Sequence, residues 1–270
     1  MDFDFSLIAA PFRMQPGLRK LAPGTPQLTP LAAGSPLWSE KKAAVDAGVS
    51  RLCVPGFDPL PAIESIAAHA VSMRLPGTFS SEEPLELAFE EDFAVLEAAG
   101  GTLPWLCVCV PSHWAPEDKL GLPLAAVHAP VADNALLLAA SQQLVSLVTA
   151  GDGCWERFVW TVTPSGRYDQ HPKRHAREPW PATGDAHEFA RRCFFRAERQ
   201  TFFPVGGGTR QSVFTIRVML EPLVQVVDTP DKAQRLHDAL ASMSEAVLAY
   251  KGLGPARAPL LAWLQERAAG

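Results

Sequence analysis

The chain has 270 residues, 47% hydrophobic and 20% charged, enough for a substantial globular core in one large domain or two small ones. A formal charge of -5 leaves no broad basic surface, which argues against nucleic acid or an anionic membrane as partner. No run approaches the roughly twenty apolar residues of a membrane-crossing helix, and the opening MDFDFSLIAAPFR lacks the parts of a signal peptide.

In chain order, residues 1–37 contain six prolines and read as an extended arm, not a packed element. Ser39 is a candidate N-cap for a short helix through Ala47. Pro61 opens a helical pattern to about Met73, with Ile63, Ile66, Ala67 and Ala70 at helical spacing. Glu82 to Ala99 reads as a longer amphipathic helix with an acidic first turn, stopped by Gly100-Gly101. Leu103 to Val110 reads as a buried strand ending at Pro111. Ala135 to Ala150 is a helix that Gly151 ends.

Cys154 to Thr163 reads as a strand, and a long polar loop follows to about Asp185. Arg191 to Val205 and Gln211 to Leu220 read as two strands of a hairpin, joined by Gly206-Gly207-Gly208. That glycine run leads into a strand, so it is not a phosphate loop or dinucleotide fingerprint. Thr229 to Leu248 and Ala258 to Arg267 read as closing helices. The order implies an α+β fold: a small, mostly antiparallel sheet with helices gathered on one side, in a single domain over residues 1–270.

Five cysteines form no pairing framework. Cys107 and Cys109 lie two residues apart on one strand, a spacing that makes no normal intra-strand bridge. Without a CxxC or a four-thiolate spacing, neither an iron–sulfur cluster nor a structural zinc site is expected here. Reduced thiols suit a cytoplasmic protein. The basic run Pro172 to Arg177 reads as a solvated loop. His171 and His175 have helical zinc spacing, but Pro172 and the polar surroundings argue against a helix. No GxSxG elbow occurs, and Ser112-His113 adjacency is not triad geometry.

Three groups of residues have the chemistry of a site. His128 is an isolated imidazole just before Ala129-Pro130; it suits an axial metal ligand or a satisfied structural histidine, with His69 and His113 as fallback ligands. Strand alternation sets Arg196, Glu198 and Gln200 on one face and Arg199 on the other. The glycine hairpin returns Arg217 within about two residues of register, as a neighbour of Glu198 or Arg199. In a dry site such a pair could hold a cationic amine; on the surface it would be an ordinary cross-strand ion pair. Arg157 and Trp160 suit an anion contact and a flat apolar cover, or equally a surface Arg beside a core Trp. Lys251 suits an anion contact or a helix C-cap.

Six segments, taken in order, resemble the haem-dependent oxidative N-demethylase family, specifically its haem-carrying subunit. They are PFRMQPGLRKL (Pro11 to Leu21), EEDFAVLE (Glu90 to Glu97), VPSHWAPEDKLGLPLAAVHAPV (Val110 to Val131), WERFVWTV (Trp155 to Val162), RAERQTFF (Arg196 to Phe203) with FTIR (Phe214 to Arg217), and LAYKGL (Leu248 to Leu253). Val159 stands where the family usually carries Asn, and the N-terminal region is compressed relative to the family. The resemblance implies a Per-Arnt-Sim-like sheet that holds haem b between sheet and helices. It implies His128 as the metal ligand, with Arg157, Trp160 and Arg199 as cofactor contacts. Glu198 and Arg217 become the catalytic pair that places the amine or tunes the oxygen adduct. The implied activity is a monooxygenase removing a methyl group from a small methylated amine as formaldehyde. Dioxygen is the co-substrate, and electrons come from a separate flavin/iron–sulfur reductase. A non-catalytic haem sensor or scaffold is the alternative.

Overall fold

The computed structural model describes residues 3–75 and 84–270. It is an α+β fold built on one seven-stranded antiparallel sheet, compatible with a Per-Arnt-Sim-like sheet carrying helical additions. The strands are β1 (Arg19–Lys20), β2 (Arg51–Cys53), β3 (Glu91–Glu97), β4 (Trp105–Cys107), β5 (Trp155–Thr163), β6 (Phe194–Pro204) and β7 (Gln211–Pro222), in the order β1-β5-β6-β7-β3-β4-β2. The described helices are α1 (Pro36–Asp46), α2 (Leu60–Ser72), α3 (Leu85–Ala88), α4 (Leu124–His128), α5 (Ala135–Val148), α6 (Ala186–Arg191), α7 (Leu223–Val226), α8 (Pro230–Ala241), α9 (Glu245–Lys251) and α10 (Arg257–Ala269). None is long and apolar enough to cross a membrane.

The long β6–β7 hairpin forms as its glycines predict, with Gly207 and Gly208 at φ 72° and 70° in the turn. Its parity decides what faces what. Arg157, Val159, Glu198, Gln200, Phe202, Phe214, Ile216 and Ala94 share one face, while Trp160, Ala197, Arg199, Arg217 and Phe203 share the other.

Helices cover both faces, not one as expected. On the Trp160 face, α8, α9 and α10 bury Leu236, Leu240, Leu248 and Leu260 against Phe195, Ala197 and Met219. Farther along that face, α2 packs Ala62, Ile66 and Ala70 on Phe93, Val95 and Phe203. On the Glu198 face, α4 and α5 place Leu124, Leu144 and Val148 over Leu106, Phe202 and Phe214, and α1 places Leu37 and Ala44 over Ile216 and Val218.

The expected helix from Glu82 to Ala99 is a short α3 followed by the strand β3. Glu82 and Glu83, its expected start, lie outside the described residues. β3 is central, between β7 and β4, and buried on both sides, so its apolar residues show no amphipathic alternation. Its acids are held internally. Asp92 accepts from Cys109 N and Val110 N at 3.0 and 2.9 Å, and Glu91 accepts from Thr29 N at 2.9 Å. Lys41, fully buried on α1, donates to the carbonyls of Phe89, Glu90 and Glu91 and lies 3.2 Å from Asp92. Burial is the largest single influence and works against the Lys41 charge, but the opposing influences, led by Asp92, together raise the ammonium above its usual range.

Several boundaries differ for local reasons. Ser35, not Ser39, caps α1 by accepting from Trp38 N at 3.1 Å. The closing helix splits into α8 and α9 because Ser244 recaps the chain on Val247 N. β2 and α6 were not expected. The N-terminal arm is largely irregular but contributes β1, and it packs: Phe3 and Phe5 are buried against Phe195 at ring-centroid distances of 5.2 Å each. In the basic loop, Arg174 and His175 pair with Asp169 at 3.0 Å each, and His171 sits 3.0 Å from Glu117. The two histidines therefore serve carboxylates. No metal-binding cluster of His, Cys, Asp or Glu occurs among the described residues, and all five cysteines are unpaired.

Candidate functional site

A cavity of about 760 Å³ lies on the Glu198 face of the sheet, between β5–β6–β7 and the pair α4–α5. This is within the range of roughly 300–1,000 Å³ for small-molecule and cofactor sites. Leu124, Val127, Leu137 and Leu144 form its helical wall, and Phe202, Phe214 and Ile216 its apolar floor. The arm closes it through Phe12 and Met14, the turn after Pro111 through Ser112 to Trp114, and the end of α9 through Tyr250 and Lys251.

His128 is the last residue of α4. Asn134 Nδ2 donates to the carbonyls of His128 and Ala129 at 3.2 and 2.9 Å, which fixes the turn that presents the ring. The imidazole lines the cavity, and its Nδ1 is buried without a hydrogen-bond partner. Burial, and then the charges of Arg157 and Lys119, push its pKa down to about 4. The ring is therefore neutral at ordinary pH, the state a metal ligand requires. His113, on a backbone at φ 59°, is a second cavity-lining imidazole. Loss of bulk water around it, together with Arg177 and Arg196, lowers its pKa to about 4 as well. The fallback ligand His69 lies elsewhere, stacked on Phe203 at 4.1 Å within the α2 core.

Glu198 is only 8% exposed and rises from the cavity floor. Its two oxygens take hydrogen bonds from Ser112 Oγ and from Gln200 Nε2, the latter at 2.7 Å. Arg196 Nε donates to Ser112 Oγ at 2.8 Å, and its terminal nitrogens donate to the carbonyls of Val110, Arg167 and Tyr168 at 2.9–3.2 Å. Burial lowers the pKa of Arg196 to about 10. Arg157, also 8% exposed, has a buried Nε with no partner, and burial lowers its pKa although Glu198 opposes this. Lys251 Nζ donates to Trp160 O at 2.7 Å and lies 5.4 and 5.7 Å from the Phe12 and Trp160 rings. Burial brings its pKa down to about 8.

The cavity thus unites His128, Arg157 and Glu198, but not every expected residue. The expected Glu198–Arg217 pair does not form. Arg217 is opposite Arg199 in the ladder, on the other face, and pairs with Glu90 at 2.6 Å. Arg199 is held by Glu156 at 2.9 Å and by Pro26 O at 2.8 Å, and neither arginine lines the cavity. A hairpin register one residue from the one needed changes the face, which is why a two-residue tolerance could not decide it. Trp160 is also on the far face, stacked on Phe195 at 6.0 Å, and touches the cavity at the edge where Phe12 packs against it. Sequence reasoning missed Ser112, Arg196 and Gln200 as partners of Glu198, although alternation had placed two of them on its face.

A cavity of this volume, with the neutral imidazole of His128 and the buried guanidinium of Arg157 on its wall, fits a dianionic porphyrin in size, ligand chemistry and charge. In one respect the fit is incomplete: ligating histidines usually engage their second nitrogen, and Nδ1 of His128 has no partner. The comparison with known families agrees with this chemistry. Residues 64–261, well over half of the chain, match the family described as haem-dependent oxidative N-demethylase, alpha subunit-like, and the chain belongs to that family.

Proposed function

We propose that this chain binds haem b in the cavity, where His128 would hold its iron, and oxidatively removes a methyl group from a small methylated amine. The observation that carries the reading is the neutral imidazole of His128 on the wall of a cavity of about 760 Å³. Haem, when bound, supplies an iron centre for dioxygen chemistry. In the overall reaction the amine, dioxygen, two electrons and two protons give the demethylated amine, formaldehyde and water. Electrons come from a separate flavin/iron–sulfur reductase, a reading supported by the description of the family as an alpha subunit. Five unpaired cysteines support a cytoplasmic setting.

The residues of the chain divide the remaining work. Arg157 offsets anionic charge in a dry environment, where a guanidinium and a carboxylate attract most strongly. Glu198, fixed by Ser112 and Gln200, faces the amine nitrogen and accepts its N–H. Phe202, Phe214 and the α4–α5 leucines keep water from the reacting centre. Arg199 and Arg217, neutralised on the opposite face, stabilise the sheet and take no part.

The test is spectroscopic first. Haem-loaded protein should show a Soret band that His128→Ala shifts or abolishes; an unchanged band removes His128 as ligand. Formaldehyde release from methylated amines under dioxygen, with a supplied reductant, then separates the enzyme from a haem sensor or scaffold. A loaded protein that releases none from any of them is not a demethylase.

A further inference from the structure

Charge in the cavity is one-sided. Arg13, Arg19, Lys119, Arg157, Arg177, Arg196 and Lys251 line it, and of the seven only Arg19 forms an ion pair with a described residue, Glu156. Glu198 is the sole carboxylate among the described lining residues. It already sits in the field of Arg157, Arg196 and Lys251. Two haem propionates would offset part of the surplus and leave the cavity cationic. A bare alkylammonium ion would enter such a cavity against the net field.

The surplus has a specific location. Lys251 ends α9 with Gly252 in the left-handed conformation as its cap. Its ammonium group turns away from the helix carbonyls and into the cavity, where Trp160 O is its one hydrogen-bond acceptor. Arg177 Nη2 donates to Lys251 O at 3.0 Å, which brings a second cation to the same end. Tyr250 lines the cavity beside them. An ammonium desolvated without a counter-ion is costly, and an anion is the partner that restores it.

Resting on the demethylase reading above, we propose that the methylated amine bears a carboxylate, which Lys251 and Arg177 grip while Glu198 faces the nitrogen. The substrate class is the N-methylated amino acid, a zwitterion whose two poles match the two ends of this polar strip.

The experiment measures binding, not turnover. The haem-loaded full chain is titrated with N,N-dimethylglycine and with dimethylamine, following the Soret band and thermal stability. A charge-assisted contact contributes about 1.5–3 kcal/mol, so dimethylglycine should bind roughly ten-fold or more tightly than dimethylamine. Lys251→Met should abolish that preference while haem is retained. Arg177→Gln, a change at an exposed side chain that does not threaten the fold, should reduce it. Equal or tighter binding of dimethylamine overturns the proposal, as does a preference that survives both variants. If the variants lose haem instead of the preference, the cations serve the propionates and the proposal fails. If the chain takes up no haem, the demethylase reading fails on its own. Stabilisation of the haem-free chain by dimethylglycine then still supports the carboxylate site, and its absence removes it.

Discussion

Arg196 Nε donates to Ser112 Oγ at 2.8 Å, and this one bond orients the hydroxyl. Because Arg196 is a donor, Ser112 accepts from it, and the hydroxyl hydrogen is left to donate to Glu198. A residue of the Pro111 turn thus fixes a carboxylate on β6, 86 positions away. Arg196 itself is anchored by three backbone carbonyls, so the chain of contacts starts from a rigid point.

Ser112→Ala should therefore do more than remove one bond. Arg196 Nε loses its acceptor in a buried setting, and Glu198 loses one of its two donors. We expect a loss of about 1–3 kcal/mol in urea unfolding. Demethylation should fall at least about ten-fold in kcat, since misplacing a positioned group is costly. Ser112→Thr, which keeps the hydroxyl, should recover most of both. A stable Ser112→Ala variant with full turnover would show that Glu198 needs no such support.

Much of this frame was legible from the sequence. The β6–β7 hairpin announced itself through three glycines between aromatic and β-branched runs, and alternation correctly set Arg196, Glu198 and Gln200 on one face. The strand β3 did not announce itself. Glu90, Glu91 and Asp92 look like an acidic helix start, and only tertiary partners (Arg217 for Glu90, Thr29 N for Glu91, Lys41 for Asp92) make three successive acids tolerable at the start of a central strand. Parity misled in the same way. Whether Arg217 meets Glu198 or Glu90 depends on a register that spacing specifies only to within a residue or two. The Ser112–Glu198 contact joins a turn to a strand through the fold, and no local pattern encodes it.

Lys41→Met offers a test of that central strand. The substitution keeps the length of the side chain but strips Asp92 of its counter-charge and three carbonyls of a donor. Removing one member of a buried ion pair costs about 3–5 kcal/mol. Chemical denaturation should show a loss of that size. The double variant Lys41→Met with Asp92→Asn should recover part of it, since no lone charge remains. A neutral Lys41→Met would mean that the strand acids are satisfied without it.

Two opposed titrations shape the pH profile of the haem-free chain. His113 and His128, each with a pKa lowered from 6.5 to about 4, are neutral in the folded chain where the unfolded chain is protonated. Unfolding therefore takes up protons between pH 6.5 and about 4, and stability falls as pH falls through that window. Glu91 acts the other way. Burial raises its carboxyl from 4.5 to about 7, so the folded chain holds a proton that the unfolded chain has lost, and stability declines as pH rises from 4.5 through 7. Calorimetry on Glu91→Gln should show a gain over the parent that is greatest at about pH 8 and disappears toward about pH 4. The decline on acidification to which His113 and His128 contribute should remain. Parallel profiles for the two proteins would remove Glu91 from the account.

Arg157 sets stability against binding. Its guanidinium is buried, its Nε has no acceptor, and its pKa is lowered by burial despite the nearby Glu198. A charge kept in this condition weakens the empty fold, and an arriving anion relieves it. Arg157→Met fills similar space without the charge. In the haem-free chain we expect it to raise stability by about 1–4 kcal/mol, read from the urea midpoint. In a haem titration followed at the Soret band we expect affinity to fall roughly ten-fold, the loss of one charge-assisted contact. The opposite signs are what separate a residue kept for a ligand from one kept for the fold. If Arg157→Met destabilises the haem-free protein, the guanidinium is already compensated from within, and its claim on an anionic cofactor lapses.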